Sequence, residues 1–293
     1  MKQRPIRWSV YAGLTPAILI VVFAYIGTIV WTVGISFTDS RMLPVARFAG
    51  FNQYIRLFGT ERWLTSIQNM VIFGVLMIGI SLVLGFLLAV ALDQRIRAEG
   101  FLRTVILYPY AISFIVTGLV WQWILNPTLG IEQTVRGWGF ESFRFDWIIQ
   151  KETAIYCVVL AGVWHAAGLV MAIMLAGLRG IDPDLWKASR IDGIKPWRFY
   201  WHIVVPILRP SFISATVLLS LGVVKLYDLV LVLTGGGPGF SSDVPAKFVM
   251  DYLFQRQNIG LATAAATTLL ISVLCVLTPW LYAEYFRAEK RKD

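Results

Sequence analysis

Few residues in this chain could do chemistry, and those few stand out against long apolar runs. Lys225, Tyr227 and Asp228 interrupt the run VVKLYDLVLVLTGGGP. A charge at the centre of a bilayer costs about 2.5–3.5 kcal/mol on insertion scales, so Lys225 and Asp228 must face protein or water. Three residues apart on a helix, they share a face and can neutralise each other. Two readings follow: side chains lining a polar path for a solute, or a structural pair locking neighbouring helices. Trp164 and His165, in VLAGVWHAAGLVM, pose a similar choice. An indole can stack on the face of a sugar while an imidazole offers a hydrogen-bonding tip. The alternative is a histidine satisfied by a neighbouring helix. The second histidine, His202, falls in a charged stretch, so one bundle cannot supply two axial haem ligands.

No clustered nucleophile, base or metal-ligand set is visible, which argues against an integral-membrane enzyme. Gly235-Gly236-Gly237-Pro238 lacks the following lysine and hydroxyl residue of a phosphate loop, and the motif is absent elsewhere. The chain is therefore not expected to hydrolyse ATP or to bind a cofactor, and the glycines are expected to form a tight turn. Cys157 and Cys275 both fall in apolar runs, where small core-like residues are expected rather than a disulfide or metal site.

The elements that must hold these residues are membrane helices. Hydrophobic residues make up 57% of the 293 and charged ones 15%, with a mean hydropathy of +0.68, too apolar for a soluble domain of this size. Segments of about 20 apolar residues are needed to span. They are expected near 10–37, 67–92, 102–126, 152–178, 205–233 and 260–286, giving an all-α, six-helix membrane domain over 1–293. Pro109 is expected to kink the third. The net charge of +9 reflects basic loops rather than nucleic-acid binding. With loops assigned alternately, 16 lysines and arginines fall on the side of the termini and 9 on the other. Both termini and the central loop 179–204 are thus expected to be cytoplasmic. The run from Tyr11 to Phe37 exceeds a signal-peptide core and is read as a retained first span.

That central loop, IDPDLWKASRIDGIKPWRFYWHIVVPILRP, is punctuated as two short helices. Asp182 can cap the first, Pro183 suits its first turn, and Gly193 can end it in a left-handed conformation. Pro196 opens the second, which Pro206 and Pro210 kink or hand over to the next apolar run. Trp186, Ile191, Trp197, Phe199 and Trp201 are a heavy apolar load for a solvated loop. Either a partner or the loop's own helix ends must cover them.

The loop resembles the EAA loop of membrane subunits of binding-protein-dependent ABC importers, particularly the carbohydrate group. The matching residues are Pro183, Asp184, Leu185, Ala188, Asp192, Gly193, Ile203, Pro206 and Pro210, while Lys187 replaces the motif's glutamate and Ser189 its second alanine. GFNQYIRLF at 50–58, LYPYAIS at 107–113, WQWILNPTLG at 121–130 and LTGGGP at 233–238 extend the resemblance over nearly the whole chain. It implies a type I importer permease fold in a bacterial inner membrane, with a coupling helix (Asp184, Leu185, Trp186, Lys187, Ala188, Ser189, Asp192, Gly193, Pro206) docking into a cleft on an ATPase. It further implies a second homologous permease in a heterodimer, two ATPase subunits holding ATP and Mg, a periplasmic or lipid-anchored binding protein, and a sugar substrate. The aromatic, arginine-rich outside segments RMLPVARFAGFNQY and GIEQTVRGWGFESFRFDW can meet that binding protein or lie at the headgroup level. Sugar-contacting asparagines of the maltose importer's larger membrane subunit fall on the apolar Val223 and Leu226 here, so its contacts do not transfer. A self-sufficient secondary transporter is the competing reading. It requires inverted repeats, of which none is visible, and a mid-membrane acid, for which only Asp228 offers itself.

Overall fold

The computed structural model describes residues 8–45, 47–94 and 96–289. Lys2, Arg4, Arg7, Arg95, Lys290, Arg291 and Lys292, which contribute to the charge asymmetry, lie outside them. Among the described residues the structure is helical, with two isolated β-bridges and no strand. In chain order the helices are α1 (Trp8–Val21), α2 (Thr28–Ser36), α3 (Asn52–Phe58), α4 (Glu61–Leu92), α5 (Glu99–Ala111), α6 (Phe114–Ile124), α7 (Ile131–Gly137) and α8 (Ala154–Arg179). There follow α9 (Pro183–Ile191), α10 (Pro196–Phe199), α11 (Val205–Ile207), α12 (Arg209–Val224), α13 (Asp228–Leu233), α14 (Pro245–Met250) and α15 (Ile259–Glu289). A π-helical turn, Val22–Gly27, joins α1 to α2, and a second, Tyr200–Val204, joins α10 to α11.

The stretches Gly13–Ser36, Glu61–Leu92 and Ala154–Arg179 are each helices long and apolar enough to cross a membrane. The expected spans 102–126 and 205–233 are instead broken. Helices α5 and α6 meet at 100°, and Pro196–Ile207 meets α12 at 66°. The first break falls three residues beyond Pro109. Ile112 and Ser113 take extended backbone, and the Ser113 hydroxyl accepts from Val116 N at 3.3 Å, so a new N-cap starts α6. The second falls at Leu208, between two prolines that cannot donate backbone hydrogen bonds.

The chain divides into two compact units. One comprises the residues up to Trp63 together with those from Phe248 onward. There α15 packs against α2 and α3. Buried Gln53 donates from Nε2 to the Thr38 carbonyl and to Asp39 Oδ1, both at 3.1 Å. Arg62 forms a buried ion pair with Asp251. The guanidinium also lies over the rings of Phe248 at 5.6 Å and Tyr252 at 5.9 Å, and Trp63 is fully buried against Phe248.

The second unit, Leu64–Lys247, is built on α8. Helices α5, α6, α12 and α13 all pack on it. Its interior stripe is rich in small residues (Ala161, Gly162, Ala166, Ala167, Gly168), which let helices approach closely without a hydrophobic driving force between them. Gly168 shows how closely: a Cβ there would lie 2.2 Å from the Ile106 carbonyl oxygen of α5. At the C-terminal end of α8, Arg179 pairs with Glu99 at 2.6 Å and approaches Asp93 at 3.9 Å. Cys157 is buried, as expected, whereas Cys275 is exposed rather than core-like.

Candidate functional site

The central loop folds largely by its own local chemistry. Asp182 Oδ1 accepts from Asp184 N at 2.9 Å, and Pro183 occupies the first turn of α9. At the other end Gly193 takes φ +65°. Ile194 N donates to Ser189 O at 3.0 Å and Gly193 N to Arg190 O at 3.3 Å, the paired bonds of a Schellman C-cap. Both helix-end signals therefore act as expected.

The loop's large apolar residues divide into two sets. The Trp186 ring packs on Phe199 at 4.4 Å and Tyr200 at 5.6 Å, and Tyr200 reaches Phe86 of α4 at 6.5 Å. Buried Ser189 donates to the Trp186 carbonyl at 2.9 Å. One face of α9 is thus held on the bundle by the chain itself. The other is bare: Ile191 is 85% exposed, and Leu185, Lys187, Ala188 and Asp192 are also exposed. Lys187 Nζ meets Asp184 Oδ1 at 2.8 Å across a fully solvated turn, a pair that contributes little to stability. Trp197 and Trp201 are 61% and 71% exposed. Pro206, also exposed, sits within α11, just ahead of the 66° bend.

The two polar pairs in the apolar runs have different surroundings. His165 is buried; Nδ1 shares a hydrogen bond with Thr117 Oγ1 at 3.3 Å, and its ring packs on Phe114 at 4.2 Å and Tyr110 at 5.5 Å. Trp164, partly exposed, also meets α6, edge-on to Trp121 at 6.0 Å. Both side chains thus pack on α6, His165 buried and Trp164 partly open.

Lys225 and Asp228 do not share one helix face. Helix α12 ends at Val224 with Lys225 as its C-cap, Tyr227 turns away at φ −126° and ψ −61°, and Asp228 opens α13. Among the described residues no ion pair joins Lys225 to Asp228, and both are exposed on this chain. Each charge is instead matched to a backbone terminus, a cation at a helix C-terminus and an acid at an N-terminus. No glycine or proline marks this break, and that polarity was the readable signal. Downstream, Gly235 (φ +63°) and Gly236 (φ +87°) form the expected tight turn, with Ser242 Oγ donating to Gly237 O at 2.7 Å.

Long apolar helices, two of them broken, define a multi-pass membrane protein. Residues 81–287 match the family described as the binding-protein-dependent transport system inner membrane component, and the chain belongs to that family. Among its relatives is a probable ABC transporter permease protein of Pyrococcus horikoshii, 35% identical over 99% of this chain and all of the relative. A xylose/arabinose import permease of Haloferax volcanii is 33% identical over 96% of this chain and 88% of its own. In fold, the chain is similar to a bacterial ABC transporter involved in the import of the acidic polysaccharide alginate, with TM-score 0.81, 20% identity and 96% of each chain covered.

Proposed function

We propose that this chain is a permease subunit of an ATP-driven carbohydrate importer, forming half of the sugar pathway in a bacterial inner membrane. The observation that carries the reading is α9: a helix capped at both ends, pinned through Trp186, and presenting an exposed apolar face with Ile191 that suits a protein partner. That partner is an ATPase subunit, which holds ATP and Mg while this chain binds no cofactor. Two ATPase subunits, a second homologous permease in a heterodimer and a periplasmic or lipid-anchored sugar-binding protein complete the assembly. Residues 1–293 act as one permease domain of six spans, the α5–α6 pair, the α12–α13 run and α15 supplying three of them, with both termini and α9 cytoplasmic.

Lys225, Tyr227 and Asp228 face the sugar path, because exposed charges in an apolar run avoid lipid. Trp164 joins them, while His165 serves α8 packing. The substrate is a sugar or sugar derivative. In liposomes the lone chain should neither hydrolyse ATP nor concentrate sugar. Adding the two ATPase subunits, the second permease and the loaded binding protein should produce ATP-driven uptake. Uptake by the lone chain on a proton or sodium gradient would replace this reading with a secondary transporter.

A further inference from the structure

The segment from Pro196 to Ile207 has a second surface that α9 does not use. Its inner side is formed by buried Phe199 and Val204 with half-buried Tyr200 and Ile203. Its outer side carries Trp197, Arg198, Trp201 and His202, all exposed. Trp197 and Trp201 are one helical turn apart, and the Arg198 guanidinium lies 5.3 Å from the Trp197 ring centroid. Lys195 stands exposed at the start of the segment. Two bare indoles beside cations make a poor water-facing surface and a good headgroup-level one, where an indole buries its ring and keeps its N–H wet.

The bend supplies the orientation. The segment makes 66° with α12 and is continuous with it as one apolar pair. Spanning helices tilt by about 20° on average. If α12 crosses the membrane, the segment's axis therefore lies closer to the membrane plane than to its normal. We propose that Pro196–Ile207 is an interfacial arm that binds acidic phospholipid: Trp197 and Trp201 seat among the headgroups, and Lys195 and Arg198 hold the lipid phosphate. This inference rests on α12 being a crossing helix, and not on the ATPase partnership of α9.

The test uses the full chain in phosphatidylcholine nanodiscs containing a minor fraction of brominated phosphatidylglycerol, read by tryptophan quenching. The wild type should be quenched more by brominated phosphatidylglycerol than by brominated phosphatidylcholine at equal mole fraction. In W197F/W201F, whose exposed rings leave the core intact, that excess should vanish while quenching of the remaining tryptophans persists. K195Q and R198Q should each weaken the preference for the acidic lipid about fivefold. Unchanged excess quenching in W197F/W201F would overturn the proposal, as would equal quenching by the two lipids. Loss of the signal when purified ATPase subunits are added would also overturn it, by assigning this face to protein. Failure of the uptake experiment would leave the lipid result standing.

Discussion

Gly193 carries a conformational demand separable from packing. Its φ of +65° is one that L-residues rarely adopt, and a Cβ there would meet nothing within 4 Å. Substitution therefore acts through the backbone alone, at about 1–2 kcal/mol for an ordinary residue. Gly193→Val should reduce ATPase co-purification about fivefold to thirtyfold while leaving the chain inserted, and Gly193→Asn, which tolerates this conformation, should retain most of it. Equal retention by glycine and valine would remove the C-cap from the coupling role. By contrast, Lys187→Ala should change the chain's own stability by less than about 1 kcal/mol in thermal unfolding, because its pair with Asp184 is solvated. Asp182 and Gly193 were legible because caps are local. The division between Trp186 and Trp197 was not, since the anchor includes Phe86, far away in sequence.

At the scale of elements, the break between α12 and α13 changes what a charge-removal experiment should find. A pair on one face would show strong coupling, but Lys225 and Asp228 belong to different helices and sit at opposite termini. Asp228→Asn and Lys225→Met should therefore have additive effects on assembly, with a coupling energy below about 0.5 kcal/mol in a double-mutant cycle. Rescue of one by the other would place them in direct contact within the assembled transporter. Helix contact itself can be probed at α8. Gly168→Val would drive a side chain into the Ile106 carbonyl and should abolish a monodisperse product on size exclusion, whereas Gly222→Ala, with open space around it, should not. Hydropathy located the expected span 67–92 inside α4, and 152–178 follows α8 except for its first two residues. It could not see the breaks at Ser113 and Tyr227, because a running average is blind to caps and single dihedrals.

Taken whole, the chain has two units, and hydropathy gave no sign of them. The first is closed by α15 returning to α2 and α3 from the far end of the chain, a long-range pairing with no local signature. Its buried Arg62–Asp251 pair offers a direct check. Asp251→Leu removes a buried acid from the Arg62 guanidinium and should lower the thermal midpoint of the purified chain. Adding Arg62→Met should recover much of that loss, because removing both charges together is far less costly than removing one. A midpoint unmoved by Asp251→Leu would mean that the pair remains hydrated.

The central loop's N-cap, its Schellman end and the contacts of Trp186 with Phe199 and Tyr200 all lie within one short stretch of chain. Such a stretch is a cassette: it carries its own folding instructions and borrows an aromatic neighbour, Phe86, from its host. Exchanged as a block between permeases that keep an aromatic residue at the position of Phe86, it should carry motor preference with it and leave cargo preference behind. A lineage could then rewire which engine drives a pathway without redesigning the pathway.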